Sequence, residues 1–393
     1  MTGLSPSITE LSRAAARPPS SVGKVRHSAL MLDSTETRTK EFSRMQRKML
    51  PLVVAATATT TLLAGCSAGA GTEAGGSTEP VTFICSPQED WCQLIAAEFT
   101  AASGIPANYV RLSGGEAVAR LSATGETPEF DAWFGGGAEG HLAADESGYL
   151  EPYTSPNAEL IPEEYKDADG RWTGVYVGAL SFCSNTDVLE EIGAEAPTSW
   201  EDLLDPKFKA NVAMAHPGTS GTAYQALWTE VELNDGDQDA ALGFFGKLHS
   251  NILQYSKSGS APGQMAGRGE VATGVIFAQD CQKFINEGFT NLQTTFPSEG
   301  TGYEVGAVSL IKNAKNPEGA KAFIDWTLTA EAQDLAATVG SYSVPTNPDA
   351  TITEDMVDFD TLKLVHADIG AAGSARNELT ARFDAEVAPA PKE

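Results

Sequence analysis

Four short glycine-rich segments recur along the chain: Ser113-Gly114-Gly115, Gly135-Gly136-Gly137, Thr219-Ser220-Gly221-Thr222 and Ser258-Gly259-Ser260. Glycine lets a ligand approach the backbone, and free N–H groups at the start of a following helix can hold an anion or a carbonyl oxygen. Asp280 and Glu299 stand apart from the many other acidic residues, because each follows an apolar or turn segment and not a charged run. Catalytic signatures are missing from residues 81–393, which hold no Gly-x-Ser-x-Gly, no His-Glu-x-x-His and no P-loop pattern. The chemistry on offer is that of binding, with no catalytic residue, cofactor or metal site assigned.

The elements that must position these segments alternate. Val81–Ile84 reads as a strand and is followed by a helix carrying Trp91, Leu94, Ile95 and Phe99 toward a core. A strand from Ala107 to Leu112, a helix from Glu116 to Thr124 and a strand from Phe130 to Phe134 continue the series. The alternation predicts an α/β architecture with a mainly parallel sheet. A second series begins near Val175 and runs through Val212–Ala215, a helix over Thr222–Leu233, a strand over Ala272–Ala278 and a strand over Val305–Ile311. Asn316-Pro317-Glu318 then supplies an N-cap, a proline at the first helical position and an early acid, predicting an amphipathic helix with Ala320, Phe323, Ile324, Thr327 and Leu328 inward. In such sheets ligands sit beyond the carboxyl ends of the strands, where the glycine segments fall.

Leu63-Ala64-Gly65-Cys66 closes an apolar run, Leu50 to Leu63, that follows Arg47 and Lys48. A basic flank, a core too short to span a bilayer and small residues before a cysteine predict a lipoprotein signal over 45–65, with Cys66 lipidated. Residues 1–44, polar and rich in Arg and Lys, read as a non-structural extension, for which a translation start at Met45 would account. Residues 66–80 read as a flexible tether. Losing residues 1–65 removes nine cations and four anions, which takes the formal charge from −27 to −32. So acidic a surface repels phosphate backbones and argues against nucleic acid as a partner. Cys85, Cys92, Cys183 and Cys281 remain, an even set that outside the cytoplasm implies disulfides in one of three connectivities.

Several stretches resemble one family. Leu112-Ser113-Gly114-Gly115-Glu116, Phe130-Asp131-Ala132-Trp133-Phe134-Gly135-Gly136-Gly137, Pro197-Thr198-Ser199-Trp200-Glu201-Asp202-Leu203-Leu204-Asp205-Pro206, Gly269-Glu270 and Asn316-Pro317-Glu318-Gly319-Ala320 carry the likeness. From about Val81 to Asp349 the chain is similar to the extracellular solute-binding proteins of ABC importers, in the branch with ferric-ion, phosphonate and hexose-phosphate receptors. The resemblance implies a two-lobed α/β fold of the periplasmic-binding-protein type II with hinge strands. One lobe is expected over 81–179 and 301–345, the other over 180–300, and a helical C-terminal segment over 346–393. Ser181–Thr186 is expected to cross between lobes, and the disulfides to join Cys85 to Cys92 and Cys183 to Cys281, the latter pair near the hinge.

Ferric receptors of that branch carry adjacent tyrosines after the strand that here ends in Ala278-Gln279-Asp280-Cys281, where this chain has none. Phenolate is the hard donor of a ferric site, so its absence disfavours iron. Hexose-phosphate receptors show His-Asp there and a Glu-Gly-Thr-Gly-Tyr-Glu segment later. Asp280 and Glu299-Gly300-Thr301-Gly302-Tyr303-Glu304 match, while Gln279 replaces the histidine. The implied cleft residues are Ser86, Ser113, Gly114, Gly136, Gly137, Ser220, Gly221, Ser258, Gly259, Asp280 and Glu299, with the two carboxylates facing each other and accepting from sugar hydroxyls. The implied role is a monomeric, lipid-anchored receptor that passes a sugar phosphate or phosphonate-like anion to an ABC permease and its ATPase. A ferric receptor, with Tyr255, Tyr303 or Tyr342 as donors, is the alternative, and an extracellular enzyme or adhesion module on the same fold is the alternative of another class.

Overall fold

The computed structural model describes residues 79–366 and 368–391, so the expected extension, signal and lipidated Cys66, and all of the tether but its last two residues, lie outside the described residues. Strand β1 (Val81–Cys85) leads into helix α1 (Glu89–Ser103), β2 (Ala107–Arg111) into α2 (Gly114–Thr124), and β3 (Ala132–Gly137) into α3 (Ala138–Glu146) and the short β4 (Leu150–Glu151). The long β5 (Thr173–Asn185) is followed by α4 (Thr186–Ile192), β6 (Val212–Ala215), α5 (Gly221–Leu233), α6 (Gln238–Leu248), β7 (Ile252–Ser256) and α7 (Ala261–Gly267). Then come β8 (Thr273–Phe277), α8 (Ala278–Asn286), β9 (Leu292–Thr295), β10 (Tyr303–Ile311), α9 (Pro317–Thr327), α10 (Ala330–Thr338), β11 (Val344–Pro345) and α11 (Ile369–Glu386).

The strands follow the order β2-β1-β3-β10-β5-β8-β6-β7, with β4 on β10 and with β9 and β11 on β5. β5 is the hinge of this arrangement. Its residues up to Ala179 pair with β10, and those from Leu180 onward pair with β8, so one strand belongs to two sheets. The expected crossing segment, Ser181–Thr186, is only the end of it, since the strand starts at Thr173 and Thr186 already opens α4. The sheet is mixed. β1, β2 and β3 are parallel, as are β6, β7 and β8, but β10 runs antiparallel to β3 and β5, and β5 antiparallel to β8. A strand that crosses between lobes and one that returns beside it must run in opposite senses, which sets the centre antiparallel.

Each sheet has its own core. In the first lobe Phe83 stacks on Phe323 at 4.4 Å, and Phe99 meets Phe323 edge-on at 5.2 Å. α9 presents Phe323 and Ile324 inward as its period requires, and Asn316 caps it by accepting from Gly319 N–H at 3.0 Å. The second core gathers Phe182, Trp200, Leu227 and Phe245, and into it go Leu379 and Phe383 from α11. That helix also touches the first lobe. Gly373 lies so close to α3 that a β-carbon there would stand 2.8 Å from Leu142 Cβ, and the buried Arg376 pairs with Glu139 at 3.4 Å. The same guanidinium lies over the Tyr224 ring of α5 at 4.3 Å, and Tyr224 Oη donates to Ala372 O. The segment expected to be helical from 346 is mostly irregular up to α11, apart from a 3-10 turn at Phe359–Thr361.

Candidate ligand cleft

The cleft is built from strand ends and helix starts. Beyond β1 the chain turns through Ser86-Pro87-Gln88 into α1, with the Cys85–Cys92 disulfide closing the turn. Trp133 Nε1 donates to Ser86 Oγ at 2.9 Å, and Arg111 Nε donates to Pro87 O at 2.7 Å. At the start of α2, Ser113 N–H donates to Glu116 Oε2 at 3.1 Å, a reciprocal cap that fixes the first turn. From the second lobe, Ser220 caps α5, its Oγ accepting from Ala223 N–H at 3.4 Å. Two helix N-termini, one from each lobe, therefore meet: a β-carbon on Gly114 would lie 3.6 Å from Gly221 N and Cα. A β-carbon on Gly221 would in turn meet only Glu139 Oε1, at 3.9 Å, so the contact between these two first residues is close without being crowded. The approach is tighter at Gly115, where a β-carbon would fall 2.5 Å from Gly218 O, and Ser113 Oγ donates to Thr219 O at 2.5 Å across the seam.

The other end of the cleft is carboxylate and amide. Asp280, in the first turn of α8, accepts from Gln88 Nε2 at 2.5 Å across the two lobes. Nearby, Lys283 pairs with Asp90 and donates to Val339 O at 2.9 Å, so the lobes are closed on each other. Glu304 and Gln279 line the same space, as do Arg111 and Tyr176. Tyr176 Oη accepts from Gly136 N–H at 3.1 Å, and its ring covers Gly306 so closely that a β-carbon there would lie 2.1 Å from Cζ. Burial pushes Asp280 up to about 6, against which the Gln88 hydrogen bond and the Lys283 charge act. Glu304 is pushed well above the usual carboxylate range, by burial first and then by Glu139 and Asp280. The cavity between these groups measures about 80 Å³ and opens to solvent.

Of the residues expected in the cleft, Ser86, Ser113, Gly114, Gly136, Ser220, Gly221, Ser258, Gly259 and Asp280 line this cavity. Gly137 does not, because it is the N-cap of α3 and the Glu139 carboxylate folds back against it. Glu299 is also misplaced by the sequence reading. Its Oε1 accepts from Trp200 N–H at 2.9 Å, in a turn of the second lobe, and it does not face Asp280. The carboxylate that shares the cavity with Asp280 is Glu304, five residues on, which the reading passed over. Sequence offers only a hint of it, a lone acid next to an apolar run, which singles it out only once the start of β10 is known. Tyr255, Tyr303 and Tyr342 are outside the cavity: Tyr255 Oη contacts His249 Nδ1 at 3.2 Å, Tyr342 Oη accepts from Asn286, and Tyr303 lies edge-on to Phe359. Among the described residues no group of three or more His, Cys, Asp and Glu side chains is arranged to hold a metal ion. Both disulfides join the expected partners, Cys85 to Cys92 and Cys183 to Cys281.

A sequence profile of bacterial extracellular solute-binding proteins matches residues 95–361. The periplasmic binding protein AfuA from Actinobacillus pleuropneumoniae, solved with exogenous fructose 6-phosphate bound, is 35% identical, with a TM-score of 0.76 over 79% of this chain and 99% of that one. A Salmonella typhimurium strain LT2 protein, proposed to be a 2-aminoethylphosphonate-binding periplasmic protein, is 28% identical over 67% of this chain and 77% of its own length. The ferric binding protein from Campylobacter jejuni, at 20% identity and a TM-score of 0.66 over 78% of this chain and 98% of that one, shares the fold. A closed two-lobed cleft between strand ends, together with these matches, makes this chain a member of the bacterial extracellular solute-binding proteins.

Proposed function

We propose that the protein captures an organic phosphate bearing hydroxyl groups, with a hexose phosphate as the representative ligand, and delivers it to an ABC permease. The observation that carries this reading is the meeting of the α2 and α5 N-termini at Gly114 and Gly221. Each offers unpaired N–H groups and a partial positive charge of about half a unit, so the pair forms a receptacle for a phosphate with no need of a lysine. Ser220, Ser258 and Ser260 add hydroxyl donors beside it. Gln88, Asp280 and Glu304 supply amide and carboxylate partners at the other end, suited to hydroxyls. Such local donors overcome a net charge of −27 for the whole chain within the cleft, although the long-range field slows anion capture at low salt. The fructose 6-phosphate bound to the 35% identical AfuA supports the same class.

Calorimetry with fructose 6-phosphate, 2-aminoethylphosphonate, inorganic phosphate and ferric citrate tests the reading. Fructose 6-phosphate is expected to bind at least about a hundredfold more tightly than inorganic phosphate, since only it fills both ends. Preference for 2-aminoethylphosphonate would move the protein to the phosphonate class that the Salmonella relative supports, and tight ferric binding would overturn the phosphate reading. In the cell the receptor is held at the membrane by a lipidated Cys66. Loss of the membrane-bound fraction in Cys66→Ala is the expected result.

A further inference from the structure

Two disulfides flank the Gln88–Asp280 hydrogen bond, one of the side-chain contacts that join the lobes at the hydroxyl end of the cleft. Cys85 ends β1, and the three residues after it, Ser86, Pro87 and Gln88, all line the cavity before Cys92 closes the loop from the first turns of α1. Gln88 is the N-cap of α1, yet its side chain does not cap the helix, because its amide reaches over to Asp280 at 2.5 Å. On the facing lobe Asp280 is followed at once by Cys281, bonded to Cys183 in the part of β5 that belongs to the second sheet. All four cysteines are fully buried. Neither bridge links one lobe to the other, so each contact point is fixed within its own lobe and neither bridge restrains the hinge. The Cys85–Cys92 bridge closes a loop with a sequence separation of only 7, against 98 for the second, so it has the lesser effect on the unfolded chain. What it does fix is the path of the loop that presents Gln88.

We propose that the two disulfides are positioning elements of the binding site, which hold Gln88 and Asp280 in register so that the closed cleft recognises the hydroxyl-bearing part of the solute. This rests on reading that end of the cleft as the hydroxyl end. The phosphate end, built on the starts of α2 and α5, carries no bridge and is independent of them. A ligand that uses both ends therefore depends on the cysteines, and one that uses only the phosphate end does not.

The test compares fructose 6-phosphate and inorganic phosphate on full-length wild type, C85S/C92S and C183S/C281S, by calorimetry, with thermal melts alongside. Expected is a loss of about tenfold in fructose 6-phosphate affinity with inorganic phosphate affinity unchanged within about twofold. In a Gln88→Ala background, removing Cys85–Cys92 should cost no further affinity, because the bridge acts through that side chain. Equal losses for both probes, no loss for either, or full additivity with Gln88→Ala would overturn the inference and leave the ligand reading standing. If the serine pair does not fold, C85V/C92A takes its place, and an unfolded apolar pair also overturns the positioning role, because the bridge is then needed for the fold itself. Wild-type protein that ignores fructose 6-phosphate would remove the ligand reading and this inference with it.

Discussion

Asp280 carries the pH dependence at the residue scale. Its folded-state pKa, near 6, lies above the ordinary value of 3.8, so the folded protein binds that proton more tightly than the unfolded chain does. The stability of ligand-free protein should then rise as pH falls from about 6.5 toward 4, with Glu304 and Glu139 acting in the same direction. Melts at pH 7.5 and 5 check this, and Asp280→Asn should reduce the difference. Affinity moves the other way, since protonation removes an acceptor for hydroxyls. Because a sugar phosphate also titrates near pH 6, the quantity to compare is the pH step in wild type minus that in Asp280→Asn. Glu299 and Glu304 make a second pair of tests. Glu299→Ala should leave affinity unchanged and cost about 1 kcal/mol of stability by orphaning Trp200 N–H, whereas Glu304→Ala should weaken fructose 6-phosphate binding by about 1 to 3 kcal/mol. Wild-type affinity in Glu304→Ala would remove it from the site. The sequence could show that an acid in the Glu299–Glu304 segment mattered, but not which one: the choice depends on where β10 begins and which face of it looks into the cleft.

Helix starts and strand ends set the closure. Gly115 sits in the first turn of α2, where alanine is a better helix former than glycine, but its β-carbon would meet Gly218 O of the other lobe at 2.5 Å. The clash exists only when the lobes are together. Gly115→Ala should therefore keep or slightly raise the melting temperature of ligand-free protein while weakening fructose 6-phosphate binding roughly tenfold or more. A variant that binds as wild type would show that closure does not need this approach. Much of this level was legible beforehand. The capped start of α9 follows from Asn316-Pro317, and the glycine segments do fall at the cleft, because caps and turns are written in local chemistry. The antiparallel centre was not legible. β5 and β10 are buried almost throughout, so their apolar runs look the same whichever way the neighbouring strand runs.

Across the whole molecule, α11 packs on α3 of the first lobe and into the core of the second, and the resemblance, which ended near Asp349, said nothing of its contacts. Arg376 is its most exacting residue. Replacing it with methionine strands the buried Glu139 carboxylate and should cost about 3 kcal/mol in denaturant unfolding, while Glu139→Gln in the same chain should recover much of the loss. Additive losses in the double variant would mean the two residues act separately. The placement of α11 also bears on timing. All of its residues are synthesised after both sheets, yet Leu379 and Phe383 belong inside the second core and Arg376 seals the seam with the first lobe. At about 5 to 20 residues per second, the ribosome releases both sheets seconds before the piece that completes them. A nascent chain still lacking its final helix has Leu379 and Phe383 missing from the second core and Glu139 without its guanidinium partner, so the fully packed and sealed form is reached only after the last residues are made.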